Sequence, residues 1–417
     1  MVAHRRARRT TKKAIEKTPR AAPRLPALGV AADRRALLAQ VERHGTPILV
    51  IDHDVIRRNY RRFRKHLPRV QCYYAVKANS DPEIIKTMFD EGASFDVASF
   101  PEFLAVHKHI ARWPDKKRFD YIWDRIIFSN TIKDIETLMR LRPYRPLVAF
   151  DNEDELVKIK RHCDTAGLIL RLTVSDTGSV VELNSKFGVA PAAANDLIEK
   201  AFAMGMTVEG LSFHVGSQCM NLDNYVEALH TAHEIFTTAN RKRTASQKPL
   251  NLINMGGGYP APYDRNVPRF EELAKLINSE IARLFPEKTT EILAEPGRFI
   301  VATAGTLVSE IIGRARRDGR RVYHINDGLY HDFSAVLYDH WTPNFQAFRH
   351  AGRKEICAVV GPTCDSFDKV SLHQNLPANL IYGDLLYTLN IGAYSSASAS
   401  HFNGFPPATV VHVNTRR

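Results

Sequence analysis

Long apolar runs are missing from this 417-residue chain: no uninterrupted stretch is long enough to span a bilayer, and no membrane partner is expected. Cysteine is scarce, with Cys72, Cys163, Cys219, Cys357 and Cys364 forming an odd set that contains no CxxC pair. That argues against a disulfide framework and a zinc site, so no metal is expected. It favours free thiols in a reducing, cytoplasmic compartment. No nucleotide-binding glycine run follows the first strand, which speaks against a doubly wound dinucleotide fold. Acid is nearly absent from residues 1–26, where nine Lys/Arg face Glu16 alone and carry +8 of the formal net charge of +13. Large apolar residues are also rare there, so residues 1–30 are read as a disordered basic tail. A nucleic-acid or anionic-surface tether and an organelle presequence stay open as readings of it. Elsewhere no nucleic-acid partner is expected.

What remains is ordinary globular material, 44% hydrophobic and 25% charged. A helix is expected over 33–47, a strand ending near Asp52, and a very basic helix over 53–67. Short apolar strands then recur at 70–76, 95–98, 126–128, 147–150, 167–174, 208–214, 251–255 and 290–294. Helical patterns follow at 82–90, 101–110, 131–140, 152–161, 192–205, 221–240 and 266–285. Eight strand–helix units in that length predict a (β/α)8 TIM barrel over 51–300. From 301 to 417 the pattern turns to strands, with a turn at Asp318-Gly319 and further runs at 355–360, 377–382 and 408–414. That predicts a mainly antiparallel β domain, completed by residues 31–50.

Chemistry in such a barrel gathers where strands end. Lys77 closes the apolar run VQCYYAV, and a buried ammonium must be paired, neutralised or used. A structural salt bridge, an anion contact and a Schiff-base lysine are its three readings. The other strand ends supply Asp96 with Glu102, Arg171, His214 with Ser217, Gly256–Gly258, and Glu295 with Arg298. Each has a bland reading alone: a core histidine, a tight glycine turn, a Glu295–Arg298 ion pair. Together a lysine, a flat stacking ring, a carboxylate for a ring nitrogen and a phosphate cradle fit pyridoxal 5'-phosphate, which favours the Schiff-base reading.

Nine blocks occur in one family's order: YAVKAN, FDVAS, FHVGSQ, GGGYP, EPGR, NDGLYHDF, LYDH, GPTCDSFD and GAYSSASASHFNGF. Over residues 45–410 the chain resembles the fold-type III, alanine racemase-like amino acid decarboxylases, in particular their ornithine decarboxylase branch. The resemblance implies that Lys77 carries the cofactor, His214 stacks on its ring and Glu295 meets its nitrogen. It implies that Asp96, Glu102 and Arg171 order the lysine and ring. Ser217, Gly256, Gly257, Gly258, Arg298 and Tyr394 would cradle the phosphate. Tyr330, Asp339, Cys364, Asp365 and Phe402 would face substrate, with Cys364 and Asp365 supplied by the neighbouring subunit of a homodimer and Cys364 returning a proton to Cα. The implied reaction is decarboxylation of L-ornithine to putrescine and CO2. Lysine or dual lysine/ornithine activity is the alternative, because one methylene discriminates weakly. The acids Asp339 and Asp365 suit a distal ammonium better than the second carboxylate of diaminopimelate. Glu295 argues against a racemase, which needs its ring nitrogen largely neutral. A non-catalytic regulatory homologue would be expected to have lost Lys77 or Cys364.

Overall fold

The computed structural model describes residues 33–264, 266–349 and 352–416; the basic tail lies outside them. Strand β1 (Ile48–Asp52) follows a helix at Arg34–His44. Eight parallel strands then close a barrel: β2 (Val70–Ala75), β3 (Ser94–Val97), β4 (Ile126–Phe128), β5 (Leu147–Phe150), β6 (Gly167–Arg171), β8 (Thr207–Ser212), β10 (Leu252–Asn254) and β11 (Glu291–Ala294). Two short strands outside the barrel, β7 (Ser179–Val181) and β9 (Ser217–Cys219), pair with each other. All eight expected barrel strands are present.

Side-chain alternation splits the barrel's apolar residues into two layers. Tyr73, Ile127, Leu147, Ile169, Leu252 and Leu293 form one buried cluster, with Trp123 against it. Their neighbours in sequence, such as Tyr74, Phe128, Val148 and Leu168, belong to the large cluster shared with the surrounding helices. The helix starts are written in the sequence. Asp81 caps Pro82–Asp90, with Pro82 in the first turn where its missing N–H costs nothing. Ser99 caps Phe100–His107 through the Glu102 N–H, while the Glu102 carboxylate accepts the Ala98 N–H at 2.7 Å and ties the chain just before the cap.

After the barrel come β12 (Gly305–Arg317), β13 (Arg320–Ile325), β14 (Phe345–Ala347), β15 (Lys354–Val360), β16 (Ser371–Pro377), β17 (Leu385–Leu389) and β18 (Thr409–Val413). They form a largely antiparallel sheet in the order β14-β17-β12-β13-β15-β16. β1 joins it, antiparallel to β12 and parallel to β18. The fold is therefore a TIM barrel with a second, alanine racemase-like β sheet.

Two expectations need correction. Residues 377–382 are not a strand; β16 ends at Pro377 and a turn leads to β17. Gly383 takes a φ of 84° there, and the Asp384 carboxylate accepts the Ile381 N–H at 2.8 Å. A helix at Asp115–Arg125 has no counterpart in the pattern read from sequence. Only Ile122 of it is fully buried, so its apolar stripe is too thin to show.

Candidate active site

The strand ends open on one cavity of about 590 Å³. Lys77, Arg171, His214, Ser217, Gly257, Gly258, Glu295, Arg298, Asp339 and Tyr394 all line it. Lys77 and Glu295 meet there because β2 and β11 are neighbours in the closed barrel.

Lys77 sits in a single helical turn, Val76–Ala78, directly after β2. That turn is pinned from the β sheet: Tyr394 N–H donates to Ala78 O at 2.8 Å, and Asn79 Nδ2 to Gly392 O at 3.0 Å. The ammonium pairs with Asp96 Oδ2 at 2.7 Å, and the carboxylate is fully buried. Burial works against the Lys77 charge, but the carboxylates of Asp96 and Glu295 outweigh it and hold the pKa above its ordinary value.

Glu295 is held by one oxygen. Asn254 Nδ2 donates to Oε1 at 2.6 Å, and Ser129 Oγ donates to the same atom. Oε2 receives no bond from the described residues and is not sealed from the cavity. Burial, helped by the Asp96 charge, raises the Glu295 pKa against the pull of Lys77 and these two donors.

His214 is a neutral ring. Burial and the cations Arg171 and Lys77 push its pKa well down, and Gly216 N–H donates to Nδ1 at 3.1 Å. Gly257 lies under it: a Cβ there would come within 2.8 Å of His214 Nε2. Gly256 and Gly258 have φ of 62° and 99°, and Cβ atoms on them would meet Phe213 O at 2.2 Å and Gly216 O at 2.5 Å. Three glycines are thus needed where this loop crosses the end of β8.

Arg298 is the buried cation of the opposite wall. It donates to Tyr263 Oη at 3.0 Å, Ser217 Oγ at 3.0 Å and Asp339 Oδ2 at 2.7 Å, and lies 4.6 Å over the Tyr394 ring. Its Nε is buried without a partner among the described residues, as is Asp96 Oδ1. Arg171, whose pKa burial lowers, lies over Phe187 at 4.7 Å. Asp96, Glu102 and Gly256 stand just behind the lining.

Four expected substrate-side residues are elsewhere. Tyr330 stacks on Phe402 with centroids 4.4 Å apart and bonds the Asp365 carboxylate. Cys364, the one exposed thiol, turns its Sγ to Asn403 Oδ1 at 3.3 Å. This cluster belongs to the β sheet and does not line the cavity of its own chain.

Ser129 and Asn254 were missed from sequence, as were Tyr263 and the roof residues Val181, Leu183, Lys186 and Phe187. A polar Ser129-Asn130 directly after IIF was a legible signal, since it is a strand end like the others. Asn254 sits inside an apolar strand, and nothing marks it as more than a buried amide.

The pieces fit pyridoxal phosphate. A close-approach glycine loop, a partnerless buried guanidinium N–H, a neutral ring and a carboxylate oxygen facing the cavity supply its cradle, stacking face and nitrogen partner. Comparison with known proteins agrees. Residues 53–302 match the family "Pyridoxal-dependent decarboxylase, pyridoxal binding domain". The chain is 34% identical over 362 residues to the lysine/ornithine decarboxylase of Selenomonas ruminantium, covering 86% of this chain and 88% of that one. It is 33% identical to antizyme inhibitor 2 of Xenopus laevis over 380 residues, 87% of this chain and 80% of the relative. Among solved structures, lysine/ornithine decarboxylase from Vibrio vulnificus complexed with cadaverine superposes with a TM-score of 0.81 at 34% identity, covering 91% and 98% of the two chains. The arginine decarboxylase of Paramecium bursaria Chlorella virus bound to agmatine gives 0.83 at 30%, covering 91% and 100%. The chain belongs to the pyridoxal-dependent decarboxylases of fold type III, enzymes that remove CO2 from amino acids with pyridoxal 5'-phosphate.

Proposed function

We propose that this enzyme decarboxylates both lysine and ornithine, yielding cadaverine and putrescine, rather than ornithine alone. The observation that carries the reading is the pair of carboxylates lining the cavity, Glu295 and Asp339. Glu295 is committed by Ser129 and Asn254 to a fixed place on the barrel wall. Among the described residues the Asp339 carboxylate is held by Arg298 alone, at 2.7 Å. With a phosphate to bind as well, that guanidinium is shared, and Asp339 becomes the acid available to a distal ammonium. A carboxylate that meets a flexible aliphatic ammonium separates chains differing by one methylene by only about 1–3 kcal/mol. The similarity to two lysine/ornithine decarboxylases supports the same choice. A guanidinium substrate, as in the viral relative, calls for a planar bidentate partner, and Asp339 is already engaged on one oxygen.

In this reading Lys77 supplies the amine that holds the cofactor, and Asp96 orients it. Glu295 Oε2 would meet the ring nitrogen and keep it cationic, His214 would cover one ring face, and Ser217, Gly256–Gly258, Arg298 and Tyr394 would hold the phosphate. The bound cofactor supplies an electron sink for the pair left on Cα when the carboxylate departs as CO2. Cys364, with Tyr330, Asp365 and Phe402, is supplied by the second subunit of a homodimer, and its thiol returns a proton to Cα. Five free thiols support a cytoplasmic setting.

The test is amine release by the enzyme loaded with pyridoxal 5'-phosphate from lysine, ornithine, arginine and diaminopimelate. Cadaverine and putrescine should form with kcat/KM values within about a hundredfold of each other. Faster turnover of arginine or diaminopimelate would overturn the assignment.

A further inference from the structure

At the other end of the barrel, where the strands begin, lies a second cavity of about 520 Å³. Val70 and Cys72 of β2 and the ring of Tyr60 are its buried floor. Arg64, Arg69 and Arg125 line it against a single acid, Glu91. That acid is already surrounded. Arg61 binds both its oxygens at 2.8 and 2.7 Å, and Arg57 and Arg416 stand at 3.8 and 3.7 Å. Among the described residues neither Arg64 nor Arg125 has a carboxylate partner. Arg125 donates to Gly92 O at 3.3 Å and Ser94 Oγ at 3.5 Å. Arg69 donates to the carbonyls of Phe285 and Glu287, at 2.6 and 3.1 Å, which leaves its charge uncompensated.

The helix His53–His66 explains the concentration of charge. Arg57, Arg61 and Arg64 recur on one face and turn toward the cavity side, while Arg62 on the other face pairs with Glu271 at 2.8 Å. Like charges gathered at a concave, low-dielectric surface focus a positive potential. Guanidinium groups match phosphate oxygens in fork geometry. The volume exceeds what one inorganic phosphate fills and lies within the range of small-molecule sites. We propose that this cavity binds a phosphorylated small molecule through Arg64, Arg69 and Arg125. The site is separate from the decarboxylation centre: β2 begins in it and carries Lys77 beyond its far end.

Calorimetric titration of the enzyme loaded with pyridoxal 5'-phosphate tests this, since its own phosphate cradle is then filled. Pyrophosphate and adenosine monophosphate are titrated in separate arms. Saturable binding that weakens with salt is expected for at least one, and the tighter probe tells a polyphosphate site from a nucleotide site. Arg64→Gln and Arg125→Gln together should weaken binding about a hundredfold, with decarboxylation in the absence of probe unchanged. Arg62→Gln should leave binding intact. Failure of both probes to saturate at millimolar concentration, or equal loss in Arg62→Gln, overturns the proposal.

Discussion

Glu295 has its chemistry set by two neighbours, Ser129 and Asn254, on a single oxygen. A donor to a carboxylate favours the charged form. Asn254→Leu removes one donor and also the acceptor of the Gly256 N–H, at 2.9 Å. The Glu295 pKa should rise further, so the acid limb of the kcat/KM profile should move to higher pH and kcat should fall about tenfold. A pH–rate series checks it; an unmoved limb would mean that Glu295 is not the group titrating. At this scale the sequence was informative wherever a polar residue ended an apolar strand, as at Lys77, His214 and Glu295. It was silent on Asn254 because a buried amide within a strand has no distinguishing spacing. It was silent on the Arg298–Asp339 pair, which unites residues 41 apart along the chain.

Elements are held in place by buried charge as much as by apolar packing. The loop after β4, which carries Ser129, is anchored by Lys133. Its ammonium, fully buried, meets Glu155 at 3.1 Å and the carbonyls of Asn130 and Ala149 at 2.9 and 2.6 Å. Burial, opposed by Glu155, brings its pKa down to about 8. Lys133→Met leaves Glu155 its second cation, Lys158 at 2.6 Å, but unpairs the carbonyls of Asn130 and Ala149, and should cost about 1–3 kcal/mol in denaturant unfolding.

The loops bearing Tyr330 and Cys364 are tied by acids. Asp368 accepts from Leu329 N–H at 2.8 Å and from Thr363 N–H and Oγ–H at 3.2 and 2.7 Å. Beside it Asp327 Oδ2 and Asp332 Oδ1 are buried with no donor among the described residues, and burial raises the pKa of both carboxyls. Burial brings Asp332 up to about 6. A carboxyl whose pKa is raised on folding binds more protons in the native state, so its stabilising contribution is present at low pH and is lost as pH rises through about 6. Asp332→Asn should therefore flatten the decline in melting temperature between pH 5 and 8; an unchanged slope would refute the raised Asp332 pKa. The helix at Asp115–Arg125 was invisible for the converse reason: too little of it is buried to imprint a period.

At the scale of the whole molecule, the cavity and the Cys364 cluster are separate in one chain, which is the arrangement a shared site requires. Mixing Lys77→Ala with Cys364→Ala subunits should restore up to about a quarter of wild-type activity, since random exchange makes half the dimers mixed and each has one intact site. No recovery despite demonstrated exchange would show that each site is complete within its own chain. The strand–helix rhythm made the barrel legible, but no local pattern announces which surface a second copy would cover in the proposed dimer.

β1 lies between β12 and β18, so one of its neighbours is the last of the described strands. A ribosome delivers residues 409–413 only after every barrel strand has been made. Until they emerge, one flank of Ile48–Asp52 stays open to foreign strands, even with the barrel complete. Nascent chains stalled before Thr409 should accordingly be the ones that chaperones retain and that clump when released.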